Sequence, residues 1–230
     1  MKIACLADVH GNLPALEAVF ESLPGSIDSI VFLGDVCGYY PYVNECIQLM
    51  IENRVTAIRG NHDQVLLDCI DTGHPDESYE AQYGSAIRRC IPNLSPSSIA
   101  WMSATPCELL LDWGGTVLHL FHGAPWDPMG GRVYPDFDQW ERFNGVSGNV
   151  IMLGQTHYSL SKWSHGKFIM NPGSVGQPRD QRGAACYAIL DLESHTLEHR
   201  RIAFDSSKLI KDACDNDPDI PYLADILLQQ

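Results

Sequence analysis

Short apolar runs alternate with helical stripes in the first quarter of the chain. Three runs, Lys2–Ala7, Ile30–Leu33 and Val55–Ile58, have the length and the continuous hydrophobicity of buried strands. Between them, Leu13–Leu23 and Tyr42–Asn53 place apolar residues at helical spacing. This β-α-β-α-β order predicts a parallel sheet whose crossovers are right-handed.

The pattern changes after residue 67. Residues 68–104 are more polar and helical in period, which predicts two or three helices with breaks at His74-Pro75 and Asn93–Pro96. Beyond them, strand-like runs recur, with turn signals at Gly114-Gly115 and His165-Gly166. The runs are Glu108–Leu111, Thr116–Phe121, Val150–Leu153, Lys167–Met170, Ala184–Leu190 and Leu197–Phe204. We therefore expect one domain over residues 1–204, with the helical segment 68–104 inside it, and a helical tail over 205–230.

Residue types that bind metals follow several of the apolar runs. The segments are Asp8-Val9-His10-Gly11-Asn12, Gly34-Asp35, Gly60-Asn61-His62-Asp63, His122-Gly123 and Gly154-Gln155-Thr156-His157. Each motif alone is weak, but together they supply carboxylate, amide and imidazole groups, a ligand set that suits Mn, Fe, Zn or Ni. Because ligands gather at the carboxyl ends of parallel strands, the pattern predicts one metal site at a sheet edge.

Charge and cysteine usage narrow the class of protein. The net charge is −14, from 15 basic and 29 acidic residues, which disfavours a nucleic-acid polymer as partner. A small phosphorylated substrate stays open, because bound cations invert the local field. The eight cysteines form no Cys-x-x-Cys pair, and no apolar run approaches the length of a membrane span. With no signal-peptide pattern at the N-terminus either, we expect reduced thiols, no membrane partner and a cytoplasmic location.

In this order, the motifs resemble the calcineurin-like metallophosphoesterases, and most closely their small bacterial and archaeal phosphodiesterase branch. The resemblance runs from Met1 to about Phe204, and it includes the segments His122–Pro128 and Asn171–Gly176. It implies an α/β fold, a four-layer αββα sandwich of two mixed sheets flanked by helices. It also places the metals at one edge of the sandwich.

The resemblance further implies a dinuclear metal centre. The implied ligands are Asp8, His10 and His157 for the first ion, Asn61 and His122 for the second, and Asp35 as the bridge between them. A hydroxide held by the ions would attack a phosphodiester or monoester, and His62 would protonate the leaving oxygen as general acid. Asp63 either holds His62 or caps a helix. We also assign Asn12 and Arg179 to substrate binding, although a salt bridge within its loop is the alternative for Arg179.

One position departs from the family pattern. Gln155 stands where the family usually has a histidine that serves the second metal. An amide oxygen is a weaker ligand than imidazole toward borderline metals, so the second site is expected to bind its ion more loosely. His119 precedes His122 by an odd number of residues and should lie on the opposite face of its strand, away from the metals.

Three aromatic residues after His122 have two interpretations. Trp126, Tyr134 and Trp140 could stack a nucleobase or aryl group, or they could pack their own loop or a dimer contact. The irregular spacing of these residues along the chain favours the second interpretation, in which they pack. A homo-oligomer is left open.

Three functions compete on this evidence. They are an active phosphoesterase, a non-catalytic scaffold and a nuclease. The scaffold is considered because the retromer subunit that resembles this branch uses the fold in that way. The acidic balance counts against the nuclease. The intact Asn61-His62-Asp63 favours the enzyme over the scaffold, which has no need of His62.

Overall fold

The first of two five-stranded sheets contains the parallel unit predicted from the N-terminal pattern. The computed structural model describes residues 1–194 and 196–228. The strands of this sheet are β1 (Lys2–Leu6), β2 (Ser29–Phe32), β3 (Thr56–Ala57), β9 (Ala185–Asp191) and β10 (Thr196–Ile202). They lie in the order β10-β9-β1-β2-β3, with β1, β2 and β3 parallel and β9 antiparallel to both of its neighbours.

The second sheet is also mixed. Its strands are β4 (Glu108–Trp113), β5 (Thr116–Phe121), β6 (Val150–Met152), β7 (Ser159–Ser164) and β8 (Lys167–Pro172). They lie in the order β4-β5-β6-β8-β7, in which β5, β6 and β8 are parallel. The predicted turns at Gly114-Gly115 and His165-Gly166 join the hairpins β4-β5 and β7-β8.

Eight helices accompany the sheets within the described ranges. They are α1 (Leu13–Ser22), α2 (Val43–Glu52), α3 (Asn61–Cys69), α4 (Glu77–Tyr83), α5 (Ala86–Cys90), α6 (Pro96–Ala104), α7 (Ser207–Asn216) and α8 (Tyr222–Asp225). Short 3-10 turns cover Ile91–Asn93 and Trp140–Phe143. The helical segment expected to start at residue 68 therefore starts earlier, at Asn61.

Apolar side chains hold the layers together. Between the sheets, Cys5 and Val31 of the first pack near Leu118 and Met170 of the second. Helices α1, α2 and α6 cover the outer face of the first sheet. Loop residues 124–146, including the turn Trp140–Phe143, cover the outer face of the second sheet. The expected sandwich of two mixed sheets flanked by helices is confirmed.

The C-terminal tail packs on the main domain instead of standing apart from it. Leu209 of α7 and Leu223 of α8 are buried with Tyr39 and Tyr40, which follow β2. The Tyr40 hydroxyl donates to the Leu223 carbonyl at 3.0 Å. Residues 229–230 of the predicted tail lie outside the described residues. No helix in the described ranges has the length and apolar character needed to cross a membrane.

Candidate metal centre

The candidate ligands come from loops that leave the carboxyl ends of four strands. Asp8 and His10 follow β1, Asp35 follows β2, His122 follows β5, and Gln155 and His157 follow β6, while Asn61 opens α3. All of them except the half-buried Asn61 are buried. The topology thus brings together residues up to 149 positions apart, from Asp8 to His157.

The backbone at this edge is strained. Five candidate ligands have a positive φ: Asp8 (54°), His10 (54°), Asp35 (63°), Gln155 (66°) and His157 (63°). Side-chain-bearing residues seldom occupy this left-handed region, and each costs on the order of 1 kcal/mol or more there. Such strain concentrates at functional sites, where the surrounding fold enforces it.

Two groups of side chains have the geometry to hold a cation. Asp8, His10 and His157 form one, and Asp8, Asp35 and His122 form the other, with ligand atoms within 4.8 Å of one another in each. Asp35 Oδ2 lies 3.9 Å from His10 Nε2 and 3.2 Å from His122 Nε2. One oxygen of Asp35 therefore lies near a histidine of each group, and Asp8 belongs to both groups.

Backbone carbonyls orient the three histidines. The Nδ1 atom of His10 bonds the Cys37 carbonyl (2.7 Å), that of His122 the Leu33 carbonyl (2.8 Å) and that of His157 the Gln177 carbonyl (2.9 Å). A carbonyl only accepts, so each Nδ1 must carry the hydrogen. In its neutral form, each ring would then turn the lone pair of Nε2 toward the centre, as in metal-ligating histidines.

The centre contains acceptors that lack donors. The Nε2 atoms of His10 and His157 lie 3.0 Å apart with their lone pairs facing each other. Asp8 Oδ2 and Gln155 Oε1 are buried and have no hydrogen-bond partner. Buried acceptors without partners are costly, and cations bound at this centre would satisfy them. The residues present therefore fit divalent metal ions.

The second group extends to the amide oxygen of Asn61, and the backbone of Gln155 also contacts the centre. Asn61 Oδ1 lies 3.1 Å from His122 Nε2. Gln155 is 9% exposed, and its backbone N–H donates to Asp8 Oδ1 at 3.2 Å. His119 lies apart from both groups and pairs its Nδ1 with the Ser147 carbonyl at 3.1 Å, in agreement with its predicted place away from the metals.

The ionisable groups of the centre differ in the direction of their pKa shifts. Burial raises the pKa of Asp8 to about 7 and lowers that of His10 to about 3. Burial alone would lower the pKa of His122, but the adjacent Asp35 carboxylate outweighs it and raises that pKa to about 10. For Asp35, burial is likewise outweighed, here by His122 and His62, and its pKa lies well below its usual range.

His62 lies beside the two groups and faces open space. Its Nε2 is 4.0 Å from Asp35 Oδ2, and its side chain lines a cavity. Its Nδ1 is hydrogen-bonded to the Tyr79 hydroxyl. Burial lowers the pKa of His62, which favours the neutral ring until an anionic group enters the cavity.

Asp63 lies in the first turn of α3 but is not its N-cap, which is Gly60. Its carboxylate accepts from the backbone N–H groups of Gly60 (2.9 Å), Asp35 (2.8 Å), Val36 (2.8 Å) and Cys37 (3.2 Å). The partner of His62 Nδ1 is Tyr79 instead. Asp63 thus fixes the loop that carries Asp35, and its expected contact with His62 is corrected.

The assignment of Asn12 to substrate binding is wrong. The side chain is fully buried at the N-cap of α1, where Oδ1 accepts from the Ala15 N–H at 3.1 Å. Its Nδ2 donates to the Gly176 carbonyl at 2.9 Å. Both ends of the amide are occupied, so Asn12 joins two loops below the centre and cannot reach a ligand.

A cavity of about 330 Å³ opens over the centre. Asp35, Asn61, His62, Gln155 and His157 form its floor, and Tyr39, Gln82, Tyr83, Arg132, Tyr134, Arg179 and Tyr222 form its walls. Arg179 thus lies where a substrate contact was expected. Trp126 and Trp140 instead pack with Phe137 and Phe143, as favoured from the sequence. Tyr134 lines the cavity, which is the interpretation that its spacing did not favour. The remaining wall residues come from distant segments with no shared motif, so the sequence held no signal for them.

A sandwich of two mixed sheets with a cluster of Asp, Asn and His at one edge is the architecture of a metallophosphoesterase. The family model for the calcineurin-like phosphoesterase superfamily domain matches residues 1–195. This chain belongs to that family.

This chain is also similar in sequence or in fold to individual proteins of archaea and bacteria. An uncharacterized protein of Methanocaldococcus jannaschii is 29% identical over 224 residues, which cover 90% of this chain and 89% of the relative. A metallophosphoesterase from Sphaerobacter thermophilus has a similar crystal structure, with a TM-score of 0.81 at 24% identity, covering 99% of this chain and 100% of that one. A hypothetical protein of Pyrococcus horikoshii also gives 0.81, at 22% identity over 99% of this chain and 98% of its own. At these identities the two structures support the fold alone.

Proposed function

We propose that this protein is a metal-dependent phosphodiesterase that acts on a small phosphorylated substrate and uses two divalent ions, Mn, Fe, Ni or Zn. One observation carries the proposal. Buried acceptor atoms without donors converge at Asp8, His10, Gln155 and His157, directly beneath a cavity that His62 lines. When bound, two such ions neutralise phosphoryl oxygens and lower the pKa of a coordinated water.

The chain's own groups supply the remaining functions. Asp35 lies between the two groups of ligands and is the bridging carboxylate of the proposal. His62 donates a proton from Nε2 to the leaving oxygen, while Tyr79 fixes the ring through Nδ1. An anionic phosphoryl group in the cavity raises the pKa of His62 and so favours the protonated acid form.

Metal content and a substrate panel test the proposal. The purified protein is analysed for its elements and then assayed with bis(4-nitrophenyl) phosphate and 4-nitrophenyl phosphate under Mn, Ni, Zn and Mg. We expect bound transition metal, hydrolysis that a chelator abolishes, and a kcat/KM for the diester at least about 10-fold above the monoester.

Two histidine variants make the assay specific. His10→Ala should abolish activity and reduce metal content, whereas His119→Ala, which removes a histidine outside both ligand groups, should change neither. Metal-loaded protein that hydrolyses neither ester would contradict the proposal and favour the scaffold. A preference for the monoester would contradict the diesterase assignment alone.

A further inference from the structure

The walls of the cavity carry two arginines without carboxylate partners. Arg179 is half-buried, its Nε is buried with no hydrogen-bond partner, and its guanidinium lies 3.3 Å from the Tyr39 hydroxyl. Arg132 lies on the exposed wall. Neither takes part in an ion pair with another described residue. Unpaired cations in a recess of so acidic a protein call for an anionic ligand.

Tyrosines complete a group of donors around Arg179. Tyr222 of α8 lines the same wall, and its hydroxyl interacts with the Arg179 guanidinium. Its other polar contact, to Gln177 Oε1, is long at 3.5 Å. The guanidinium of Arg179 and the hydroxyls of Tyr39 and Tyr222 thus form a subsite rich in donors on one wall of the cavity. Tyr222 lies beyond the residues that match the family model, 1–195.

Charge indicates how many anionic groups the cavity accepts. Asp35 is the one carboxylate among its described lining residues, and in the proposed function it is engaged with metal. Two divalent ions held by Asp8 and Asp35 would leave roughly two positive charges, which the hydroxide nucleophile and the single charge of one phosphodiester group together offset. The positive charges of Arg132 and Arg179 remain, so the field of the cavity suits a second anionic group.

We infer that Arg179, Tyr39 and Tyr222 bind a second phosphoryl group of the substrate, beside the one that is hydrolysed. The substrate class is then a compound with two linked phosphoryl groups. Arg179 can present two N–H groups to such a phosphoryl group, and the tyrosine hydroxyls can donate to its remaining oxygens. The cavity of about 330 Å³ falls within the range of small-molecule sites, which hold far more than a phosphate ion. The inference rests on the proposed function, because the subsite is defined by its position beside the phosphoryl group that the metals would bind.

Calorimetry with two non-hydrolysable probes tests the subsite. Methylphosphonate carries one anionic group and methylenediphosphonate carries two. We expect the Mn-loaded protein to bind methylenediphosphonate at least about 10-fold more tightly, a difference of about 1.4 kcal/mol. Arg179→Met should reduce this preference to below about 3-fold and leave the affinity for methylphosphonate within about 3-fold. Tyr222→Phe, which keeps the ring and its packing, should reduce the preference by a smaller factor.

Arg182→Met is the matched control. It removes the same charge from the same loop at an exposed position that does not line the cavity, and the preference should persist. Three results would overturn the inference. They are no preference in the unmodified protein, equal loss for both probes in Arg179→Met, and a preference that survives Arg179→Met because the metals alone chelate the second group.

Metal content measured after each titration excludes extraction of the ions by the probe. Binding is separate from turnover, so the two proposals can fail independently. A protein with the preference but no hydrolysis of any ester would refute the phosphodiesterase and leave the anion subsite standing.

Discussion

Burial raises the pKa of both carboxylates of the centre, but neighbouring groups reverse this effect for one of them. For Asp8, desolvation outweighs the opposing effect of His122, and its pKa rises to about 7. For Asp35, His122 and His62 outweigh the desolvation, and its pKa falls. The metal-free centre therefore retains protons on Asp8 and His122 near neutral pH, and a metal ion must displace them.

Metal affinity should consequently rise with pH. Deprotonated Asp8 and His122 bind the metal, and their pKa values of about 7 and about 10 place the gain between pH 6 and 10. We expect Mn affinity to increase about 10-fold or more from pH 6 to pH 8, with about one to two protons released per ion. Calorimetry in buffers of different ionisation enthalpy measures both quantities. Binding that releases no protons would contradict these pKa shifts.

The contribution of His62 should depend on the leaving group. His62→Ala removes the proton donor but none of the proposed ligands, so metal content should stay near wild type while turnover falls by roughly 10²–10⁴. Nitrophenolate needs little protonation, and the loss should shrink for its esters. Steady-state rates measured on substrates with good and with poor leaving groups test this prediction. An equal loss on both would indicate that His62 binds the ground-state phosphate instead.

Gln155 should make the two metal sites unequal. Its buried Oε1 lacks a partner and faces the centre, but an amide oxygen is a weak ligand for borderline metals. We expect tight binding at Asp8, His10, Asp35 and His157 and loose binding at the site with Asn61 and His122. Gln155→His should raise occupancy of the loose site and shift Mn dependence to lower concentration in a metal titration. Two tight sites that this change leaves unaltered would show that another group completes the second site.

Among the secondary-structure elements, those with regular apolar patterns could be predicted from sequence. The parallel order of β1, β2 and β3 followed from their apolar runs and the two helical stripes between them. Helix α3 was not anticipated, because ligands occupy its first turn where apolar periodicity would otherwise show. Strand β7 was also missed, since this edge strand exposes three consecutive residues and lacks the burial pattern of its neighbours.

The first turn of α3 connects the fold to the metal centre. Gly60 is required there, because a Cβ would lie 2.1 Å from Asp35 Oδ1. Asp63→Asn should destabilise the protein by about 1–3 kcal/mol, since an amide cannot accept all of the backbone N–H groups that the carboxylate binds. Urea denaturation of the metal-free protein measures the loss. The control Asp68→Asn, on the exposed face of the same helix, should change stability by less than about 0.5 kcal/mol.

For the whole molecule, sequence motifs indicated the floor of the cavity but not its walls. Ligands follow strands in recognisable motifs, whereas Tyr79, Tyr83 and Tyr222 reach the site only through the packing of helices on the sandwich. Asn12 was misassigned for the same reason. A polar residue beside a ligand motif can serve a helix N-cap as readily as a substrate, and only the long-range contact to Gly176 distinguishes the two.

The tail should unfold together with the main domain. Leu223 is 1% exposed in a cluster shared with Tyr39 and Tyr40. Leu223→Ala should cost about 2–5 kcal/mol and lower the melting temperature of one cooperative transition. Leu228→Ala, at a 50% exposed position, is the control and should have little effect. A separate early transition with an unchanged main one would show an independent tail.

The left-handed backbone at five candidate ligands bears on how such a chain evolves. Those residues store strain, and several of their polar atoms lack partners, so the ligand set lowers stability unless ions are bound. Replacing them with glycine or asparagine would relax the backbone, and a lineage that had lost its metals would gain stability by doing so. The proposed function supplies a reason to keep such residues, because bound ions would offset their cost.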